Sequence, residues 1–410
     1  MAEIDIQNFL EECSISSQKA YDAFKNILFE KYEKEEIKKT NHLISPLFTY
    51  FENLENKENF EEKYHFSFKK ITLGREKKSI KLLQFPSIFS PEEWSFTFYE
   101  GLSRLPHSYF SGKKVVELGC GNGWICIAMA LNSDLDFIYG LDINPRAITC
   151  AKINLAMNAF DDEGIETRTY SGKTFCESLF FGESDLLAYC REENIELDKI
   201  IGCIPQVLSP DPEKLIKNIS EYSSDEQLYD LSNYCSVKGH VEDEFGLGLI
   251  ASAIEESLQS LKAGGTIIMN MGGRPGSQVL EGLFKRRGFL VKKIWSTKVT
   301  QAQDTDIQAL VEIEKRTGHK FEFFMGLDAR EPINAQVAEA YGKRGGEIAH
   351  SLSVYEAWIP NRKEVQKILD FLKGPNFKET RQLMDLHSEV NEVFEERVNF
   401  LSELSLLLGG

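Results

Sequence analysis

The chain has 410 residues, 42% of them hydrophobic and 27% charged, so it is long enough for two or three globular domains. This composition excludes the disordered, collagen-like and disulfide-scaffold classes. Asp and Glu number 64 against 47 Lys and Arg, and the net charge of −17 disfavours a nucleic acid as the main partner, because an acidic surface repels a polyanion.

The N-terminal segment is predicted to contain helices followed by a hairpin. Apolar residues between Ile4 and Lys39 recur with a helical period, which predicts one or two amphipathic helices. Between Phe66 and Phe89 the pattern alternates in FSFKKITL and SIKLLQF around the polar stretch GREKKS, which predicts a β-hairpin. The alternation Trp94-Phe96-Phe98 that follows is compatible with one buried strand face or with the wall of a binding site.

From residue 113 to 315 short apolar strands alternate with helical stretches, which is typical of a parallel sheet with crossover helices. We expect strands at KKVVEL, FIYGLD, a poorly defined run before Gly182, KIIGCI, TIIMNM, LVKKIW and IQALVEIEK. The last two have no helix between them, so we expect them to pair antiparallel at the sheet edge. Beyond residue 318 we expect a helix near NAQVAEAYGKR, a strand in SLSVYEAWI and helices from Arg362 onward.

A glycine-rich turn follows the first of these strands, where VVELG leads into CGNGW and then into the helix ICIAMAL. Gly119, Gly121 and Gly123 allow a sharp turn and a close approach of the backbone to a ligand, since no Cβ intervenes. Asp142 ends the next strand, where a carboxylate can accept hydrogen bonds from both hydroxyls of a ribose. The pattern indicates a nucleoside-containing cofactor. Asn144 and Pro145 predict an N-cap and a first-turn proline for the following helix.

The acidic residue at the head of this turn distinguishes two cofactor classes. A dinucleotide site uses GxGxxG, whereas this chain has ExGxGxG, beginning at Glu117. The pattern resembles the class I S-adenosylmethionine-dependent methyltransferases, and the resemblance implies S-adenosylmethionine as the cofactor. It further implies a Rossmann-like seven-stranded mixed sheet with a helical and hairpin N-terminal extension and an α+β C-terminal extension.

The same resemblance implies roles for individual residues at the cofactor. Glu117 and the glycines would lie at the methionyl and ribose side, Asp142 at the ribose hydroxyls and Asp185 at the adenine amino group. The full set of cofactor-binding residues expected is Glu117, Gly119, Gly121, Gly123, Asp142, Ile143, Asp185, Leu186 and Cys203.

The loop after the fourth strand differs from that of the amino-methylating relatives, which carry Asn-Pro-Pro-Tyr at this position. Here Cys203 and Ile204 precede Pro205 and Gln206, so no Asn stands where an acceptor amide would bind. The difference argues against a glutamine or adenine amino group as the methyl acceptor. A plain loop that ends a strand remains an alternative for Pro205 and Gln206.

Longer stretches resemble the methyltransferase portion of the plant methionine S-methyltransferase family, and the likeness runs from about Pro86 to Tyr355. The most specific of them are GCIPQ, EDEFGLGLI and MGGRPG. The family implies transfer of a methyl group to the thioether of free methionine. The plant enzymes continue into a long aminotransferase-like region, so we expect this chain to be either a stand-alone relative or a part of a longer protein.

A thioether sulfur carries no proton, so the implied reaction requires positioning and water exclusion but no general base. The residues expected in the catalytic wall are Trp94, Tyr99, Pro205 and Gln206. Arg274 is the candidate for the substrate carboxylate, by bidentate pairing. Glu242 and Asp243, with Glu244, are candidates for the ammonium, although a solvated helix N-terminus, where acids are favoured anyway, explains them slightly better. Tyr234 and His240 complete the expected pocket.

The sequence leaves some alternatives open. These are methylation of another small thioether or amine, and a protein that binds S-adenosylmethionine in a regulatory role without catalysis. We expect three regions, namely a cap at 1–110, a methyltransferase domain at 111–317 and an extension at 318–410. No CxxC pair, zinc-ligand spacing, signal peptide or membrane span is evident, so we expect no metal, no membrane partner and a cytoplasmic protein. The sequence leaves open whether the protein is a homo-oligomer.

Overall fold

The computed structural model describes residues 5–373 except 75–77, 162, 210, 212–214, 216–218 and 303–304. The chain divides into two compact units. Unit 1 comprises Met1–Glu92, Leu105–Pro205 and Ser209–Ser236, and unit 2 comprises Glu93–Arg104, Gln206–Leu208 and Val237–Gly410. The three regions expected from the sequence stay a prediction, and the part of the expected C-terminal helices after residue 373 lies outside the described residues.

The helices of the described residues are α1 (Ile6–Cys13), α2 (Ser17–Asn26), α3 (Lys34–Glu52), α4 (Glu58–Tyr64), α5 (Glu93–Ser103), α6 (Trp124–Asn132), α7 (Pro145–Asn158), α8 (Ala188–Glu192), α9 (Asp225–Asn233), α10 (Gly248–Ser260), α11 (Ser277–Lys285), α12 (Ile307–Thr317), α13 (Ala335–Gly342) and α14 (Arg362–Lys373). The strands are β1 (Ser67–Leu73), β2 (Lys78–Gln84), β3 (Lys114–Leu118), β4 (Phe137–Asp142), β5 (Leu179–Glu183), β6 (Leu197–Gly202), β7 (Val207–Leu208), β8 (Tyr234–Cys235), β9 (Leu261–Gly272), β10 (Leu290–Thr300), β11 (Phe324–Met325) and β12 (Ile348–Trp358). None of these helices has the length and apolar character needed to cross a lipid bilayer.

The core of unit 1 is a set of four parallel strands. β3 pairs with β4 on one side and with β6 on the other, and β5 pairs with β4. Glu117 of β3 lies opposite Gly140 and Ile201. The predicted strands in this region are confirmed, including the poorly defined one before Gly182. Because the strands are parallel, their carboxyl ends meet at one edge, where ligands bind in open α/β sheets.

The N-terminal helices and the hairpin pack on α7 within unit 1 through a cluster rich in phenylalanine. The ring of Phe24 lies 5.1, 4.8 and 5.5 Å, centroid to centroid, from those of Phe9, Phe66 and Phe85. The hairpin is fixed to α7 by Asn154, whose Oδ1 accepts a hydrogen bond from the Leu83 amide at 2.6 Å. The predicted hairpin is confirmed, and the segment from Ile4 to Lys39 contains α1, α2 and the start of α3, one helix more than expected.

The sheet of unit 2 is antiparallel, with β12 between β9 and β10. The prediction of a strand in IQALVEIEK is wrong, because this segment forms α12. The Asp306 side chain caps the helix by accepting from the Ala309 amide, and Gly318 ends it in a left-handed conformation. β10 therefore pairs with β12, the strand that SLSVYEAWI predicted, and not with IQALVEIEK.

The aromatic segment before β3 is helical. Trp94 and Phe98 lie one turn apart on α5, and Phe98 is fully buried while Phe96 is 44% exposed. The interpretation of Trp94-Phe96-Phe98 as one buried strand face is therefore wrong, because residues two apart on a helix point in different directions. The fold class is confirmed as α/β and Rossmann-like, with both parallel and antiparallel strands.

Candidate active site

The turn between β3 and α6 requires glycine for two different reasons. Gly119, Gly121 and Gly123 all have positive φ, at 66°, 53° and 79°. A Cβ on Gly123 would lie 2.8 Å from the Phe181 ring and 2.9 Å from the Cβ of Ala151, so this glycine permits close packing. A Cβ on Gly121 would meet only Ile88, at 3.9 Å. The space beside Gly121 is open, as a backbone that approaches a ligand requires.

Asp142 ties this turn to the end of β4. Its Oδ2 accepts a hydrogen bond from the Gly121 amide at 2.8 Å, and its Oδ1 accepts one from the Asn144 amide at 2.8 Å. Burial raises the pKa of Asp142, and these backbone donors oppose the shift. Asn144 caps α7 and Pro145 opens it, as the sequence predicted. Asp142 therefore holds the conformation of the turn.

Glu117 is a buried acid directly before the turn. Its side chain is 2% exposed, and Cys126 donates a hydrogen bond to its Oε2 at 2.8 Å. Burial raises the pKa of Glu117 to about 8, and the nearby charge of Asp142 contributes in the same direction. Because a positive charge close by would stabilise the ionised form, the place suits a cationic group of a ligand.

Glu117 makes the stability of the protein depend on pH when no ligand is added. The raised pKa means that the native state holds a proton which the unfolded chain, with a pKa of 4.5, has released. This contribution to stability is complete below pH 4.5 and is lost as the pH rises toward 8, by at most about 1.4 kcal/mol per pH unit. We expect Glu117→Gln to flatten the free energy of unfolding between pH 5 and 8, as measured in urea. Parallel curves for the two proteins would contradict the expectation.

The other residues expected at the cofactor lie at or after the carboxyl ends of β4, β5 and β6 in unit 1. Ile143 follows Asp142 and is 38% exposed, which is unusual for an isoleucine at the end of a buried strand. Asp185 is exposed, and Leu186 is buried with a positive φ of 49°. Cys203 is half-buried after β6. The parallel topology thus brings the whole expected set to one edge of the sheet, and their roles there stay a prediction.

Gln206 and Trp94 enclose the end of β9 in unit 2. The Gln206 amide donates to the Gly272 carbonyl at 2.8 Å and accepts from the Gly272 amide at 2.7 Å. Both ends of this buried amide are therefore engaged with the backbone, which favours a positioning role over the catalytic contact that the sequence suggested. A Cβ on Gly272 would lie 2.8 Å from the Trp94 ring, so the indole packs directly on this backbone.

Arg274 follows two residues later and is 7% exposed. Among the residues that the structure describes, no side-chain hydrogen bond or ion pair is recorded for its guanidinium. Burial lowers the pKa of Arg274 to about 10. A buried cation without a counter-ion is costly, and an anionic ligand would remove that cost.

The acids expected to bind an ammonium group have other partners in unit 2. Glu242 is 1% exposed and accepts from Arg286 at 2.7 Å and from Arg287 at 2.8 Å. Burial opposes the ionisation of Glu242, but the two arginines hold its pKa at about 2. The interpretation of this segment as a solvated helix N-terminus is wrong for Glu242, and its geometry favours a structural role.

The neighbours of Glu242 are occupied too. Asp243 accepts hydrogen bonds from the amides of Gly239 and His240 at 2.7 and 2.9 Å, and so fixes its own loop. Glu244 pairs with Arg316 at 2.7 Å. For the remaining residues expected in the substrate pocket, the structure gives their burial and contacts, and their roles stay a prediction. Tyr99, Pro205 and Tyr234 are half-buried, and His240 contacts Ser252 and the Glu255 carboxylate.

One residue of this region was not expected from the sequence. His350 lies on β12, is 2% exposed, and its ring centroid is 5.7 Å from that of Trp94. Its segment carries no motif. Only the pairing of β12 with β9 shows that His350 is near Arg274, and that pairing could not be predicted once IQALVEIEK had been assigned as the edge strand.

Comparisons of this chain with known proteins find similarity to methyltransferases. A family model of a methyltransferase domain matches residues 110–270. The methionine S-methyltransferase of Hordeum vulgare is 47% identical over 414 residues, which cover 98% of this chain and 38% of the relative. That of Wollastonia biflora is 47% identical over 411 residues, with the same coverage of each chain. The chain thus spans about 38% of the length of these curated relatives.

Among solved structures, a precorrin-6y C5,15-methyltransferase from Geobacter metallireducens GS-15 matches 65% of this chain and 87% of its own, at 12% identity and a TM-score of 0.31. We draw no conclusion from that distant likeness. The match to the domain model covers β3, the glycine turn and Asp142, which are the elements of the predicted cofactor edge. Residues 110–270 are therefore similar to a methyltransferase domain, and 98% of the chain is similar to part of the plant methionine S-methyltransferases.

Proposed function

We propose that the chain transfers a methyl group from S-adenosylmethionine to the thioether sulfur of free L-methionine, giving S-methylmethionine and S-adenosylhomocysteine. The similarity to the plant methionine S-methyltransferases over 98% of the chain supports this reaction. The structural observation that carries the substrate class is Arg274, a buried guanidinium with no recorded partner among the described residues. The carboxylate of an amino acid is the natural counter-ion for such a group.

The residues at the carboxyl edge of unit 1 fit S-adenosylmethionine. In this proposal the nucleoside would lie beside Gly121, Asp142 would accept hydrogen bonds from the ribose hydroxyls, and the Glu117 carboxylate would lie near the cationic methionyl end. The exposed Ile143 gives an apolar surface for the adenine ring. When bound, the cofactor supplies an electrophilic methyl group on a sulfonium.

The protein has little chemistry of its own to perform in this reaction. The acceptor sulfur is a nucleophile without a proton, so no residue has to act as a general base. The side chains have to hold the substrate in line and exclude water, which is a contribution of proximity and orientation. An aromatic face such as the half-buried Trp94 stabilises a neighbouring cation by roughly 0.5–2 kcal/mol, depending on its desolvation.

The proposal is tested by incubating the protein with methyl-labelled S-adenosylmethionine and free methionine, and analysing the products by mass spectrometry. We expect labelled S-methylmethionine and an equal amount of S-adenosylhomocysteine. A panel of other thioethers and amines in parallel reactions identifies a different acceptor if methionine gives no product. Binding of S-adenosylmethionine by calorimetry without turnover of any acceptor would contradict the proposal and favour a regulatory protein.

A further inference from the structure

Arg274 and His350 are brought together by the pairing of β9 with β12. Gly272 lies opposite Leu352, and the Gly273 amide donates to the Ser351 carbonyl at 2.7 Å. The pairing therefore extends past the end of β9 and carries Arg274 to the level of His350. Side chains directly opposite on antiparallel strands have their Cβ atoms about 5 Å apart. Arg274 and His350 are 7% and 2% exposed, so the two neighbouring side chains are both enclosed by the protein.

The hydrogen bond of His350 defines which of its ring nitrogens is an acceptor. Its Nδ1 lies 3.3 Å from the Ser351 carbonyl oxygen. A carbonyl can only accept, so Nδ1 carries the proton and donates. Burial, together with the neighbouring Arg274 cation, lowers the pKa of His350 to about 3, so the ring is neutral at physiological pH. Nε2 therefore presents a lone pair, and among the described residues no donor to it is recorded.

The enclosed place thus contains a fixed cation and, beside it, a neutral acceptor. The α-carbon of a free amino acid carries an anion and a cationic donor in the same adjacent arrangement. An amine without a carboxylate would meet the charge of Arg274 uncompensated, whereas a carboxylate without an ammonium would leave the buried Nε2 without a donor. The pair therefore matches a zwitterion better than it matches either single charge.

Three buried acids of unit 2 are paired with cations of their own. Glu242 and Glu255 pair with Arg287 at 2.8 and 3.0 Å, and Glu356 pairs with Lys292 at 2.8 Å. A neutral acceptor is also the better choice beside Arg274, since a carboxylate there would pair with the guanidinium and displace the ligand.

We propose that His350 is a specificity-determining residue, whose Nε2 accepts a hydrogen bond from the ammonium of a free amino acid while Arg274 binds its carboxylate. This inference rests on the proposed function and names the part of the substrate that unit 2 recognises. In this arrangement His350 and Arg274 recognise the α-amino acid group of the ligand and do not contact its thioether chain.

The test compares three acceptors, namely methionine, 4-(methylsulfanyl)butanoate, which lacks the ammonium, and 3-(methylsulfanyl)propylamine, which lacks the carboxylate. For the native protein we expect the KM for methionine to be roughly 10- to 100-fold below that for the butanoate, as one hydrogen bond to a charged group predicts. In His350→Leu that preference should fall to near unity, through a rise in the KM for methionine alone. His350→Gln, which retains an acceptor near the Nε2 position, should restore part of it.

His107→Leu is the control, because His107 lies in unit 1 and stacks on Tyr170, with the ring centroids 6.3 Å apart. It should leave the preference for methionine unchanged. A His350→Leu variant that keeps the preference, or that loses methionine and the butanoate equally, overturns the inference while the proposed function stands. A native protein that binds S-adenosylmethionine but methylates none of the three acceptors overturns both.

Discussion

Asp142→Ala is expected to weaken S-adenosylmethionine binding by about 3 kcal/mol, or roughly 100-fold, as measured by calorimetry. In the proposed complex the carboxylate accepts from the ribose, and in the structure it accepts from the amides of Gly121 and Asn144 at 2.8 Å each. The variant therefore loses a ligand contact and the conformation of the turn together. Asp142→Asn preserves the size of the side chain but only one of its oxygens, so its loss should be smaller.

The matched control is Asp198→Ala, which also removes an aspartate from a strand of unit 1. Asp198 lies near the start of β6 and accepts a hydrogen bond from the Lys114 amide at 2.9 Å, at the amino ends of the strands. We expect this variant to lower stability without changing cofactor affinity. If Asp142→Ala bound the cofactor normally, or if both variants lost it equally, the ribose assignment would be wrong.

The second large effect is expected at Arg274. Arg274→Met should raise the KM for methionine at least ~100-fold, because a charge-assisted and partly bidentate contact to the carboxylate is lost. It should not destabilise the protein, since the guanidinium has no recorded partner among the described residues and its burial is itself unfavourable. The affinity for S-adenosylmethionine should also be unchanged. The combination of a lost substrate and an intact fold identifies a ligand-binding arginine.

Arg287→Met provides the contrast, because Arg287 is also buried, at 2% exposure, but has ion-pair partners. It donates to Glu242 at 2.8 Å and to Glu255 at 3.0 Å, and its removal leaves these buried carboxylates without one of their cations. We expect a loss of about 3–5 kcal/mol in the free energy of unfolding, measured in urea. Equal stability losses for Arg274→Met and Arg287→Met would show that Arg274 is structural.

The cofactor edge could be predicted from the sequence because its chemistry is local. A strand, three glycines and an acid at the end of the next strand are consecutive in the chain, and parallel topology brings them together. The same reasoning placed Asn144 as a cap. Each of these features depends on short-range geometry that residue types specify directly.

The substrate side could not be predicted in the same way, because it depends on long-range strand pairing. The apolar residues of IQALVEIEK fit a strand or a helix, and the helix is distinguished by its caps at Asp306 and Gly318. His350 therefore had no assigned neighbours. Glu242 was interpreted as solvated because its partners, Arg286 and Arg287, are more than forty residues away. An ion pair of this kind leaves no local pattern in the sequence.

The position of β12 has a consequence for how unit 2 is made. β9 and β10 are synthesised before β12, the strand that pairs with both of them. β12 leaves the ribosome only after α12 and α13. Until Trp358 has emerged, the nascent chain exposes Ile267, Ile268 and Met269, all fully buried in the native state, beside unpaired backbone donors. Such a segment is a template for intermolecular pairing. We therefore expect the sheet of unit 2 to be completed later than the four parallel strands of unit 1, which are all synthesised by Gly202.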